Sequence, residues 1–166
     1  MPGNIKNKTN FFPFRSFSDT VFMNLDGGNN KMFEIFFFVN PIGINCYQNE
    51  QEIIAAVSGY QQNISYHFIP MTTMNTIRSD IRARHLSSSN IEIFNTFSQS
   101  AYNATKDYHT LKLIAGNKKA RQYIIKLQHA INDMGKVYST ELVNEILSSL
   151  DVSIKNFKKN RESNYI

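Results

Sequence analysis

Cysteine is almost missing from this chain: Cys46 is the single one among 166 residues. One thiol excludes an intramolecular disulfide, so nothing in the cysteine usage marks an exported protein. Proline is scarce too, at positions 2, 13, 41 and 70 only. No apolar run approaches the roughly 18 residues a membrane span needs. The aromatic stretch Phe11, Phe12, Phe14, Phe17 is broken by Pro13, Arg15 and Asp19. It therefore lacks the continuous apolar region of a secretion signal. The expectations are a cytoplasmic location and no membrane contact. Acidic residues are in deficit, 13 against 18 Lys and Arg, which gives +5. Such a balance is compatible with nucleic acid, but the basic residues are scattered, so no nucleic-acid partner is expected. Gly27-Gly28 is not followed by the Gly-Lys-Ser/Thr of a phosphate cradle. Asn63-Ile64-Ser65 is a formal glycosylation sequon, read here as a chance match.

What is present suggests one domain in four stretches. Residues 1–31 are rich in Asn, Gly and Ser and end in Asp26-Gly27-Gly28-Asn29-Asn30, a turn signal. They read as a flexible leader, or alternatively as an added strand around Thr20–Leu25 hairpinned onto the next; poor alternation favours the leader. Residues 32–70 form a β-α-β unit. Phe33–Val39 is an apolar, aromatic run suited to a strand buried on both faces. Residues 46–58 are a helix with Ile53, Ile54 and Val57 on one face and Glu50 and Glu52 early in it. Residues 64–69 alternate and stop at Pro70, and the spacing fits a right-handed crossover between parallel strands.

Residues 71–157 read as helical. Met74, Ile77 and Ile81 mark a short helix. Phe94, Phe97, Ala101, Ala104, Tyr108, Leu111 and Ala115 follow helical spacing up to Gly116, as do Ala120 to Met134 up to Gly135. Ser139 can cap a helix carrying Leu142, Val143, Ile146, Leu147 and Leu150, and Asp151 or Ser153 a last one through Phe157. Residues 158–166 are polar and are expected to fray. The fold class is α/β, mostly helical: a βαβ unit followed by a helical stretch.

Strand, proline, turn, cysteine, helix is the order met at Phe38-Val39-Asn40-Pro41-Ile42-Gly43-Ile44-Asn45-Cys46-Tyr47. It resembles the active-site segment of the DsbA-like thioredoxin superfamily. Residues 32–52, MFEIFFFVNPIGINCYQNEQE, are similar to the opening of its Spx-adaptor branch. His67-Phe68-Ile69-Pro70 resembles that family's second strand, and GNKKARQYIIKLQHAI its helical insert. The resemblance places Gly43 at the nucleophilic cysteine, Cys46 at the second, covered cysteine and Tyr47 at the following aromatic, with Pro41 before the turn. It leaves the first cysteine, the loop with the family's cis-proline, the following strand pair and the final helix without counterparts, and so implies an incomplete thioredoxin-like βαβ unit with an inserted α-helical subdomain.

Thiol–disulfide exchange needs an exposed thiolate at a helix N-terminus. Gly43 supplies none, so no catalytic residue is assigned, and Gly43 and Cys46 form a vestigial site. A covered Cys46 is an inert small apolar group; an exposed one could act as a monothiol. His67, His85, His109 and His129 lack partners at metal-ligand spacing, so no metal is expected, and no cofactor. Lys118, Lys119 and Arg121 open a helix where cations oppose the dipole, and read equally as a solvated face or as a docking patch for an acidic partner. The resemblance implies a non-catalytic adaptor that binds protein partners, an Spx-like stress regulator or a component of the ClpXP protease. The alternative is a thiol-disulfide oxidoreductase or isomerase acting through Cys46. A homo-oligomer formed through an open edge of strand 33–39 is a further partner to consider.

Overall fold

The computed structural model describes residues 21–25, 33–58 and 64–163. A three-stranded sheet has the order β1-β2-β3, with β1 at Val21–Leu25, β2 at Phe33–Val39 and β3 at Ile64–Pro70. β2 and β3 are parallel, in register from Phe33 opposite Ile64 to Val39 opposite Pro70. The helix α1, Ile44–Ser58, links them, so the β-α-β unit forms as its spacing predicts. It starts two residues before the expected position.

Two readings of the N-terminal region change. Val21–Leu25 is a strand, not part of a structureless leader, and it pairs antiparallel with β2 from Val21 opposite Phe37 to Leu25 opposite Phe33. The rest of residues 1–31 lies outside the described residues. This pairing also fills the β2 edge that was expected to be open to a second copy. The physical reason is that β2 needs a partner for its backbone donors and acceptors, and the chain itself supplies one. β2 alternates, moreover, instead of being buried on both faces. Ile35, Phe37 and Val39 are buried, and Glu34, Phe36 and Phe38 are half-buried. The three buried side chains join Phe68 in the main apolar core. Each contributes about 1.5–3 kcal/mol by leaving water.

The helices follow. α2, Met74–Ala83, is N-capped by Thr73, whose side chain accepts from the Thr76 amide at 3.1 Å. Ile77 and Ile81 are its buried apolar residues. α3, Ile91–Asn132, is broken at Gly116, where φ is 81° and ψ 171°, a conformation essentially restricted to glycine. The arms 91–115 and 117–132 bend sharply toward each other there. The Tyr123 hydroxyl donates to Asp107 Oδ2 at 2.8 Å. Sixteen residues along a straight helix would separate these two by about 24 Å, beyond any tyrosine's reach. Ala101, Ala104, Leu111, Tyr123, Ile124 and Leu127 are fully buried within this folded pair.

Ser139 caps α4, Thr140–Ser149, by accepting from the Leu142 amide at 3.2 Å. α5, Ile154–Ser163, continues six residues past the expected end at Phe157. Of the stretch expected to fray, residues 158–163 are helical, held because the Arg161 guanidinium donates to the buried Asp107 carboxylate and, at 3.2 Å, to Asn103 Oδ1; residues 164–166 lie outside the described residues. Asp107 thus collects Tyr123, Tyr138 at 2.6 Å, and Arg161, joining both arms of α3 to the α4 approach and α5. Burial first, then the Asp107 charge, pushes both phenols well above the ordinary tyrosine value, so they remain donors. Tyr108 ties α3 to the sheet, its hydroxyl donating to the Phe68 carbonyl at 2.8 Å. No α-helix among the described residues is long and apolar enough to cross a membrane.

Candidate functional site

The turn before α1 and the first turn of α1 carry the four residues singled out from sequence. Asn40 opens the turn: its side-chain oxygen accepts from the Ile42 amide at 3.3 Å, and its carbonyl from the Gly43 amide at 2.9 Å. Pro41 is buried inside this turn, and no cis peptide occurs among the described residues. Gly43 is also buried. A Cβ built on it would stand 3.0 Å from Asn40 Cβ and 3.2 Å from Asn40 Nδ2, so a larger residue there has to displace Asn40. Cys46 is 8 % exposed, and the Asn40 amide donates to its sulfur at 3.3 Å.

A helix N-terminus presents unpaired amides and positive potential, which in a redox-active turn stabilise a thiolate. Here a carboxylate occupies that role. The Ile44 amide donates to Asp80 Oδ1 at 2.7 Å, from the far side of α2. Asp80 is buried and is paired through its other oxygen with Arg84 Nε at 3.1 Å. The same guanidinium donates to the Ile42 carbonyl at 2.7 Å and to Asn132 Oδ1 at 2.8 Å, and it lies over the Phe97 ring at 5.4 Å. One Asp-Arg pair therefore holds the turn, α2 and the end of α3 together, with charge balanced inside the cluster.

Tyr47 forms a second clasp. Its hydroxyl donates to Asp133, which also accepts from His129 Nδ1 at 2.7 Å. Burial, then the facing Asp133 carboxylate, pushes the Tyr47 phenol up to about 12. The hydrogen bonds from Tyr47 and His129 hold the Asp133 carboxyl below its ordinary value. Between the two clasps, Glu50 of α1 is buried and accepts from Gln128 Nε2 at 3.0 Å. It was read from sequence as an early acidic residue favouring the dipole; it lies in the helix-helix interface instead.

Pro41 and Gly43 thus stand in the turn leading into α1, and Cys46 and Tyr47 in its first turn. Asp80, Arg84, Asn132 and Asp133 were not foreseen. Two signals were available: Asp80 and Arg84 are an i,i+4 pair of opposite charge, and His129 and Asp133 an i,i+4 hydrogen-bonding pair at the end of a helix. The second gives His129 an acidic neighbour one turn on, which the reading of the histidines as lacking partners at metal-ligand spacing had passed over. His67 stacks on Phe36 at 4.7 Å and faces Glu34 at 3.7 Å. No group of three potential metal ligands occurs among the described residues.

Strand, buried proline turn and helix, with a helical subdomain packed over them, define a mostly helical α/β protein of thioredoxin-like design. A thioredoxin family model matches residues 36–166, most of the chain, and the chain belongs to that family. The comparisons with curated proteins and with solved structures found no match.

Proposed function

We propose that this is a thioredoxin-family protein that binds other proteins and has given up disulfide chemistry. The observation that carries the reading is the Asp80 carboxylate on the Ile44 amide. The positive end of α1 is committed to a buried side chain, the adjoining position is Gly43, and the one thiol is covered. A nucleophile, its activating environment and access are all wanting at once. The vestigial turn then acts as a structural joint between sheet and helices. At the finer level, the resemblance of residues 32–52 and of the helical insert supports a DsbA-like protein of the Spx-adaptor branch, which delivers an Spx-like regulator to the ClpXP protease in the cytoplasm.

One observation favours thiol chemistry as a second reading: the Asn40 amide donates to the Cys46 sulfur, and such a bond favours the thiolate. Titration of Cys46 with a thiol reagent across pH, alongside insulin-disulfide reduction, separates the two. Slow modification of the folded protein, fast modification after denaturation and no insulin reduction are expected. Rapid modification near neutral pH, with insulin reduction lost in Cys46→Ala, would establish an oxidoreductase.

A further inference from the structure

The charge of this chain is not spread along it. Residues 1–107 hold eight Lys and Arg against eight Asp and Glu, whereas residues 108–166 hold ten against five. The entire +5 therefore lies in the helical part beyond Asp107. From 108 to 132 there is no acidic residue at all, but there are five basic ones.

The fold concentrates part of this excess on one face. The Lys119 ammonium donates to the Asp151 carbonyl at 3.1 Å, which sets the start of α5 beside the break at Gly116. Arg161, near the other end of α5, reaches Asp107 and Asn103. α5 therefore runs back along the first arm of α3, fixed at both ends. Phe157 is buried beneath it, and Lys155, Lys158 and Lys159 are exposed, with Lys118 exposed by the break. Lys118 and Lys119 also stand in the first turn of the arm 117–132, where the dipole opposes them. Lys119 answers a carbonyl, not a carboxylate. Placing cations there costs stability that a neutral surface residue would not, which calls for a compensating use.

We infer that the α5 face, with Lys118, Lys155, Lys158 and Lys159, docks an acidic polypeptide segment of a partner protein. The inference rests on the protein-binding reading above and gives that partner a chemistry. Acidic residues stand among these cations, Glu162 on α5, Asp151 in the turn before it and Glu141 on α4 within the influence of Lys158, and they break the field into spaced positive positions. That pattern suits side-chain carboxylates better than the continuous charge of a nucleic-acid backbone.

The test uses the full chain and a short fluorescein-labelled poly-glutamate peptide, followed by anisotropy at low and moderate salt. The triple change K118E, K155E, K159E is compared with R78E, R82E, K126E, which alters net charge equally at exposed positions of α2 and of the arm 117–132. Expected are peptide binding that weakens with salt, a loss of about tenfold or more, near 1.4 kcal/mol, in the first triple, and no more than about twofold in the second. Circular dichroism verifies that both triples fold. Equal losses in the two triples, no binding by the unaltered chain, or tighter binding of a single-stranded DNA of matched charge would each overturn the inference. A reactive Cys46 would sink the non-catalytic reading while leaving this result intact, so the two failures are distinguishable.

Discussion

Restoring a cysteine at Gly43 is the sharpest perturbation of the α1 turn. In a redox-active turn such a thiol is depressed to about 3.5–7.5 by the helix N-terminus. In this protein the Ile44 amide already serves Asp80 Oδ1 at 2.7 Å, so the new thiolate meets a carboxylate where it needs a donor. Two like charges about 4 Å apart repel by about 4 kcal/mol at an effective dielectric near 20. That equals about three pH units, since one unit is about 1.4 kcal/mol. Arg84, 3.1 Å from Asp80, offsets part of this, and the helix dipole offsets more. The expected net result for Gly43→Cys is a thiol at or above the ordinary value of about 8.5. The 3.0 Å approach to Asn40 adds a packing cost. Ultraviolet thiolate absorbance against pH, with insulin reduction as activity, reads the outcome, and Cys46→Ala in the same background isolates the new thiol. Adding Asp80→Asn should lower the thiol's pKa by more than one unit while costing stability, because Arg84 loses its partner. A Gly43→Cys thiol titrating below about 7 with Asp80 intact would refute the reasoning.

Three other outcomes are expected. Asp107→Ala should destabilise by about 3–5 kcal/mol in denaturant melts, because it strands the Arg161 charge, the buried Tyr123 phenol and the half-buried Tyr138 phenol; a loss under about 1 kcal/mol would show that water substitutes for the carboxylate. The Asp133 carboxyl lies below its ordinary value when folded, so its contribution is present above the unfolded value and is lost as pH falls through the folded one. Tyr47→Phe should reduce that acid sensitivity, and an unchanged acid melt would remove the clasp from the account. Deleting residues 1–31 takes away β1 and bares the backbone of β2, so sedimentation should show self-association; a monomer of unaltered stability would mean that β1 contributes little.

The β-α-β unit and the helix breaks were legible because they are local. Pro41, Gly116 and the 3-4 spacing from Phe94 to Ala115 act within a turn or two of themselves. Ser139 capped its helix as foreseen for the same reason. What stayed hidden was carried by single polar atoms meeting across the fold. Nothing near Asp107 in sequence announces Tyr123, Tyr138 and Arg161, so α5 was cut short at Phe157 although its last turn is held by Arg161. Asp80 likewise looks like an ordinary helical acid until α2 brings it to Ile44. The candidate turn was therefore readable as to which residues stand in it, and unreadable as to what neutralises it. β1 was held only as the alternative to a leader, because strand pairing is decided by the partner's exposed edge and a five-residue segment carries little pattern of its own.

The break at Gly116 has a consequence for how the chain could assemble. A Cβ there would meet nothing within 4 Å, so space does not forbid a side chain; only the backbone angles do. Any other residue gains by adopting helical angles instead, and the two arms would then fuse into one rod of 42 residues, about 63 Å long. The arm 117–132, with α4 and α5, would swing away from the sheet, and Asp107 would lose its tyrosines. A second molecule opened in the same way offers those missing contacts back. Gly116 is thus where such a domain swap would hinge, and its backbone angles are what fold the two arms onto each other.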